Sequence, residues 1–190
     1  YPTVEYWLGY LADADGNADL ARSWFKKAES KDIDYVFPFR LETIAALDKA
    51  LEYLPQSHNT WYYLGNLYYH KQPEKALAAW EKAVEAKPDF AMALRNLGWY
   101  WRFKDEYHVK NSSDYDTAID YYQKAIVADN GENAIFLAEC DEIMELVNAP
   151  LADRYALFNG REALYERRYD SETKAIKQRI LAGEYAPVLE

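Results

Sequence analysis

Residues 61–88 decide the fold: Trp61-Tyr62-Tyr63-Leu64-Gly65-Asn66-Leu67-Tyr68 opens the stretch, and Ala76, Trp80, Ala83 and Pro88 close it. Ala76, Trp80 and Ala83 are spaced four and three apart, so they lie on one face of a helix. The same arrangement recurs along the chain. Leu97-Gly98 follows Leu64-Gly65 by 33 residues, and three positions after each glycine stands an aromatic, Tyr68 or Trp101. Ala118, Tyr122, Ala125 and Asn130 repeat the intervals of four, three and five, and so do Ala21, Phe25, Ala28 and Ile33 after Leu8-Gly9.

Such spacing has a packing reason. Where two antiparallel helices cross closely, a small residue lets the backbones approach and an aromatic ring one turn away fills the space beside it. A single pair cannot bury its apolar face, whereas stacked pairs form a continuous core. With only 7 Gly and 7 Pro, and apolar residues recurring at three and four spacings, the chain reads as helix after helix with no alternating strand. The pattern predicts helices over 3–13, 18–30, 41–54, 58–70, 73–86, 89–103, 114–128, 132–147, 151–158, 161–168 and 171–182. Pro73 suits a first helical turn, and Asp89 and Asp114 read as N-caps. Pro55, Pro88 and Pro150 fall between helices as stops.

These residues resemble the tetratricopeptide repeat, with its period of about 34 residues. Trp61, Leu64, Gly65, Tyr68, Ala76, Trp80, Ala83 and Pro88 form the best copy. The resemblance implies an all-α fold, a right-handed superhelix or solenoid of helical hairpins. Repeats are expected over about 2–35, 36–57 in part, 58–90 and 91–132, with degenerate helices over 133–190 as a cap, all in one domain. Residues 41–54 read as a second helix alone, on Ala50 and Pro55. In place of a partner helix stands Asp34-Tyr35-Val36-Phe37-Pro38-Phe39-Arg40, which Pro38 makes extended and whose aromatics are expected to pin it to the solenoid. Lys104–Ser113 is an insertion between the two helices of the third hairpin, and after residue 131 the pattern decays, with Cys140 at the small position and Glu139 where leucine is usual.

A narrower resemblance covers residues 1–147. Tyr6-Trp7-Leu8-Gly9-Tyr10, Phe37-Pro38-Phe39-Arg40 and the two good repeats look like the C-terminal region of large bacterial proteins, in which such repeats follow a β-sandwich domain of unknown function related to sugar mutarotases. That resemblance would place any sugar chemistry upstream. A chain opening on Tyr1, with its first helix starting almost at once, likewise reads as a piece of a longer protein.

Composition narrows the function classes. The chain has 190 residues, half of them hydrophobic and 28% charged, enough for a real core and against disorder. A net charge of −10, with basic clusters no longer than Arg167-Arg168, argues against nucleic acid and anionic membranes. No stretch approaches the ~20 apolar residues of a spanning helix. The single Cys140 excludes an internal disulfide and leaves the compartment open.

Candidate chemistry is sparse. Asp13-Ala14-Asp15-Gly16-Asn17-Ala18-Asp19 has the alternating oxygens of a calcium loop, but its sixth position is Ala18 and its twelfth is Trp24, so a polar turn between two helices is the better reading. His58, His70, His108 and Cys140 share no metal-ligand spacing, and His58 and His70 stand about 18 Å apart along one helix. Cys140 reads as a small core residue. There is no phosphate loop, no nucleophile elbow and no isolated carboxylate pair, so no catalytic residue, metal or cofactor is expected.

In proteins with this repeat the first helix of each pair lines an inner groove. The matching positions are Tyr6, Tyr10, Tyr62, Asn66, Tyr69, Arg95, Trp99 and Arg102, rich in the aromatic and arginine side chains that dominate interface energetics. Packing between helices uses the same residue types, so an internal role stays open for them. Asn66 and Asn96 match asparagines of the carboxylate clamp of some repeats, but Tyr62, Ala134 and Ala138 stand where its basic residues belong. The expected function is a non-catalytic module that binds a protein, a peptide or another domain of its own chain. A carbohydrate-binding accessory and a homo-oligomerisation module are the alternatives.

Overall fold

In the computed structural model, residues 1–33, 36–104 and 112–158 are described. They are helical throughout their ordered elements, with no strand among them. The chain divides into two compact units, Tyr1–Pro88 and Asp89–Glu190. The first holds α1 (Pro2–Ala14), α2 (Ala18–Glu29), α3 (Thr43–Tyr53), α4 (His58–Tyr68) and α5 (Pro73–Ala86). The second holds α6 (Ala91–Phe103), α7 (Ser112–Ala128), α8 (Ala134–Leu146) and α9 (Leu151–Phe158).

Three hairpins carry the repeat: α1 packs on α2, α4 on α5 and α6 on α7. In each, the glycine of the first helix lies against the aromatic ring of the second. A methyl group added at Gly9 would lie 2.7 Å from Phe25 Cδ1, one at Gly65 would lie 2.8 Å from Trp80 Cε2, and one at Gly98 would lie 2.7 Å from Tyr122 Cδ2. No side chain fits at those distances. The rings are buried, and the alanines flanking them, Ala21, Ala28, Ala76, Ala83, Ala118 and Ala125, are all 0% exposed. The recurring small–aromatic pattern is therefore one contact made three times.

The lone helix α3 buries Thr43, Leu47 and Ala50 at the same four-then-three spacing, so Leu47 stands where the hairpins carry a ring. Lacking a glycine-bearing partner of its own, it packs on α1 and α4. Tyr53 near its end rests on Phe25, with ring centroids 5.4 Å apart, and receives the Arg22 guanidinium at its carbonyl oxygen. The segment before α3 departs from expectation. Val36 is buried, but Phe37 is 70% and Phe39 81% exposed, so a valine pins the segment and the phenylalanines do not.

Helix ends follow local chemistry. Asn17, Ser57 and Asn133 cap α2, α4 and α8 by accepting from the backbone N–H of Leu20, Thr60 and Ile135. Pro73 occupies the first turn of α5. Two expected caps are not caps. The buried Phe90 takes the cap position of α6, leaving Asp89 outside and exposed. Helix α7 begins earlier, at Ser112, so Asp114 lies inside its first turn, where a carboxylate favours the helix dipole. The predicted helices over 161–168 and 171–182, and residues 105–111 of the insertion, lie outside the described residues.

Replacing Gly65 or Gly98 by alanine should destabilise the fold by about 1 to 3 kcal/mol, the usual range for overpacking a core. Gly98 should suffer more, because the carbonyl oxygen of Ala118 also stands 3.2 Å from the added group and backbone yields less than a ring. Urea denaturation followed by circular dichroism reads both; an unchanged midpoint would mean the close crossing is not tight.

Candidate functional site

In the first unit, two of the groove positions turn inward. Tyr6 and Tyr62 are buried at 1% and 5% exposure. The Tyr6 hydroxyl lies 2.9 Å from Thr60 Oγ1, and burial raises its pKa. Thr60 also meets Ser57, whose hydroxyl donates to the Glu29 carboxylate, while His58 Nδ1 lies 2.7 Å from the other oxygen of Glu29. Asn59 donates its side-chain amide to the Glu29 carbonyl at the end of α2, 3.0 Å away. This polar node ties α1, α2 and α4 together.

Ser57, His58 and Glu29 are the residue types of a hydrolase triad, but the order is wrong. The carboxylate stands between serine and histidine, so the His58 imidazole is not placed to take the serine proton. Cys140 is equally ill suited to attack. It is fully buried, and burial followed by the nearby Asp141 charge pushes its thiol up to about 12, which keeps it protonated.

Tyr10, Asn66 and Tyr69 are half-buried. Tyr10 meets Trp7 edge-on at 5.6 Å, and Tyr69 lies 5.5 Å from the Trp80 ring. The Asn66 side-chain oxygen accepts the indole N–H of Trp80 at 3.1 Å. That bond orients the ring that fills the Gly65 crossing, a structural use of a clamp-type asparagine. At the clamp's basic places, Tyr62, Ala134 and Ala138 are all buried. The calcium-like turn is also put to structural use. Asp15 ends α1, Gly16 has φ +76°, Asn17 caps α2, and Asp13 accepts from the Tyr53 hydroxyl, which with Lys49 holds its carboxyl below the usual range. A cleft of about 480 Å³ opens on the α4–α5 hairpin, lined by Trp61, Tyr68 and Ala79 with Lys75, Glu81, Lys82 and Glu85 around it. Trp61 is held there by an indole N–H bond of 2.9 Å to the Pro55 carbonyl.

In the second unit Arg95, Trp99 and Arg102 share one face of α6. The Arg95 guanidinium lies 4.5 Å and that of Arg102 6.0 Å from the Trp99 ring centroid, and Phe103 adjoins the indole at 4.5 Å. All four are half-buried. Both arginines already hold carboxylates from α8: Arg95 grips both oxygens of Glu139, and Arg102 holds Glu142 at 2.5 Å. Glu139, in the place of a leucine, is 8% exposed, and its burial is tolerable because of that bidentate bond. Two residues after Glu139, the buried Asp141 receives Arg154 of α9 through bonds of 2.7 and 3.1 Å. Nothing in the linear pattern marks Glu142 or Asp141 as partners; the one legible signal was an acid at position 139.

Comparison with known proteins fits this geometry. Residues 67–133 match the tetratricopeptide repeat family. That span runs from the end of α4 past the end of α7 and includes the whole Gly98–Tyr122 crossing and the Trp80 ring of the Gly65 crossing. A crystal structure of the MamA protein is similar over 94% of this chain and 92% of that one, with a TM-score of 0.51 and 16% identity, a likeness of fold alone. No curated protein matches. The fold class is all-α of tetratricopeptide type. Among the described residues, no helix is long and apolar enough to cross a membrane, and no three or more His, Cys, Asp or Glu side chains gather as metal ligands would.

The buried ion pair gives a graded expectation. Arg154→Ala removes the bidentate guanidinium from the buried Asp141 and should cost about 3 to 5 kcal/mol, whereas Lys124→Ala, which breaks an exposed pair with Asp120, should cost less than about 1 kcal/mol. Equal losses in urea titrations of the two variants would refute the distinction. Alkali should also unfold the chain. Burial raises the Cys140 thiol from its ordinary 9.0 and the Tyr6, Tyr63 and Tyr122 hydroxyls from 10.0. Their protonated forms are favoured by folding, so that stability is fully present below about pH 9 and drains as pH rises, at up to about 1.4 kcal/mol per pH unit per group. The Tyr63 hydroxyl has no hydrogen-bond partner, so Tyr63→Phe should be neutral or stabilising at pH 7 and should lessen the loss between pH 8 and pH 11. A steeper alkaline loss in that variant would overturn the assignment.

Proposed function

We propose that the chain is a non-catalytic scaffold that binds a protein or peptide, and that the Arg95–Trp99–Arg102 face of α6 is its principal contact. The observation that carries this reading is the stacked layer of guanidinium, indole and phenyl groups, half-exposed and held from behind by Glu139 and Glu142. Rigid aromatic and arginine anchors lose little entropy on binding, and here the carboxylates of α8 fix the rotamers beforehand. Because those carboxylates already neutralise the arginines, the face selects a partner for its apolar or aromatic side chain more than for its acidity. In the first unit, Tyr10, Asn66 and Tyr69 are the groove positions that keep some exposure and belong to the same proposal. A neighbouring domain of the same polypeptide is as suitable a partner as a separate protein.

The Ser57 hydroxyl donating to the Glu29 carboxylate rather than to the His58 imidazole, and the protonated state of Cys140, support the non-catalytic half of the proposal. The binding half is tested with a displayed library of random peptides selected on the purified chain. Selected ligands should bind Trp99→Ala at least about 30-fold more weakly than the parent, the effect of losing one hot spot. Selection of ligands indifferent to Trp99→Ala and Arg102→Ala, or failure to select any, would remove the face from the account.

A further inference from the structure

Two features of the first unit are each unsatisfied in a single copy and match one another. The segment before α3 gathers three exposed large apolar side chains, Phe39 at 81%, Phe37 at 70% and Leu41 at 58%. Isolated exposed apolar residues are ordinary, but three within five positions form a patch that marks an interaction site. Pro38 between the two rings fixes its own φ and steers Phe37 to an extended conformation, in which residues two apart project to the same side. Val36, buried at 4%, anchors the segment. The patch is thus a short, stiffened plug that would lose little entropy when covered.

The second feature is the cleft of about 480 Å³ on the α4–α5 hairpin, within the size range of sites that enclose short ligands. Trp61 and Tyr68, seven positions apart on α4, give it an aromatic floor. Ala78 lies at its surface, Glu81, Lys82 and Glu85 stand at the rim, and the Lys75 ammonium lies 5.5 Å from the Tyr68 ring centroid. Charges correspond as well. Arg40 follows the plug directly and Glu42 comes two positions later, while the rim offers the carboxylate of Glu81, the Lys82–Glu85 pair and the ammonium of Lys75, so each plug charge has an opposite one to meet. A phenyl ring on an indole or phenol floor, with guanidinium on carboxylate at the edge, satisfies both features at once.

We infer that the Phe37-Pro38-Phe39-Arg40 plug of one copy docks in the Trp61–Tyr68 cleft of a second copy of this chain. The occupant is a second copy because in each molecule the plug stands exposed while its own cleft stands open. Plug and cleft are different surfaces, so the contact is head-to-tail and does not close on itself at two copies. With −10 of net charge per copy the association works against long-range repulsion and is best measured at about 0.3 M salt, where that repulsion is screened within a few ångströms. It involves none of the α6 face, so Trp99→Ala leaves it unchanged and its failure is separable from failure of the binding proposal above.

The experiment uses the whole chain and light scattering after size exclusion, from about 5 to about 500 µM, the range suited to a small, non-obligate interface. The parent should pass from monomer to species larger than dimers. Two variants each spoil one side: Phe37→Ser with Phe39→Ser removes the plug, and Ala78→Arg fills the cleft. Both change exposed positions, and circular dichroism confirms that they fold. Each alone should stay monomeric, and an equimolar mixture should give a 1:1 pair, since one plug and one cleft remain. Arg40→Glu, which alters no packed residue, should weaken the parent association at least about tenfold by setting a carboxylate against Glu81 in place of a guanidinium. A parent that stays monomeric throughout, a plug-less variant that still associates, or a mixture that does not pair would each overturn the inference; the first is also what a cleft made for a sugar would give.

Discussion

Everything in this chain depends on how closely two helices can cross. At Gly9, Gly65 and Gly98 the backbone of one helix comes so near the ring of the next that no β-carbon fits. Phe25, Trp80 and Tyr122 then seal the crossing from the second helix, with an alanine one turn to either side. This is a steric constraint before it is an energetic one. Once the crossing distance is set, the spacing of four and three follows from the helix period, and so does the direction in which each hairpin presents its remaining face.

Around that constraint the two units solve burial differently. The first stitches α1, α2 and α4 together through a polar node of Tyr6, Thr60, Ser57 and Glu29, and each polar atom taken out of water there is engaged by another. The second places carboxylates along α8, at positions 139, 141 and 142, and answers each with an arginine from α6 or α9. The substitution of Glu139 for an apolar residue is affordable only because Arg95 grips both its oxygens. In consequence the arginines of α6 are held in place against Trp99, turning a stabilising device into a pre-ordered surface.

Much of the fold was legible in one dimension because helix periodicity and close-crossing glycines are local in sequence. Helix positions came within a few residues over the whole described chain, and the contact of Gly65 with Trp80 was implicit in their types and spacing. The candidate site was less so. Tyr6 and Tyr62 occupy groove positions by alignment yet are buried, since a tyrosine at such a position can turn toward the neighbouring helix as readily as toward solvent. Asn66 resembles a ligand-binding asparagine but spends its oxygen on Trp80. Phe37 and Phe39 invited an internal role through hydrophobicity alone, and only their exposure says otherwise.

What the sequence determined by itself was the all-helical fold of tetratricopeptide type, because residue size at fixed helical intervals leaves one way to pack. What only the tertiary structure decided was the use of each remaining side chain: which tyrosines face inward, which carboxylates meet which arginines, and which aromatics stay in water. Those outcomes rest on contacts between residues 13 to 54 positions apart, such as Asp141 with Arg154, Glu29 with Asn59, Arg95 with Glu139 and Tyr6 with Thr60. A periodic pattern specifies a face of a helix, but the partner of that face is set by distance in space.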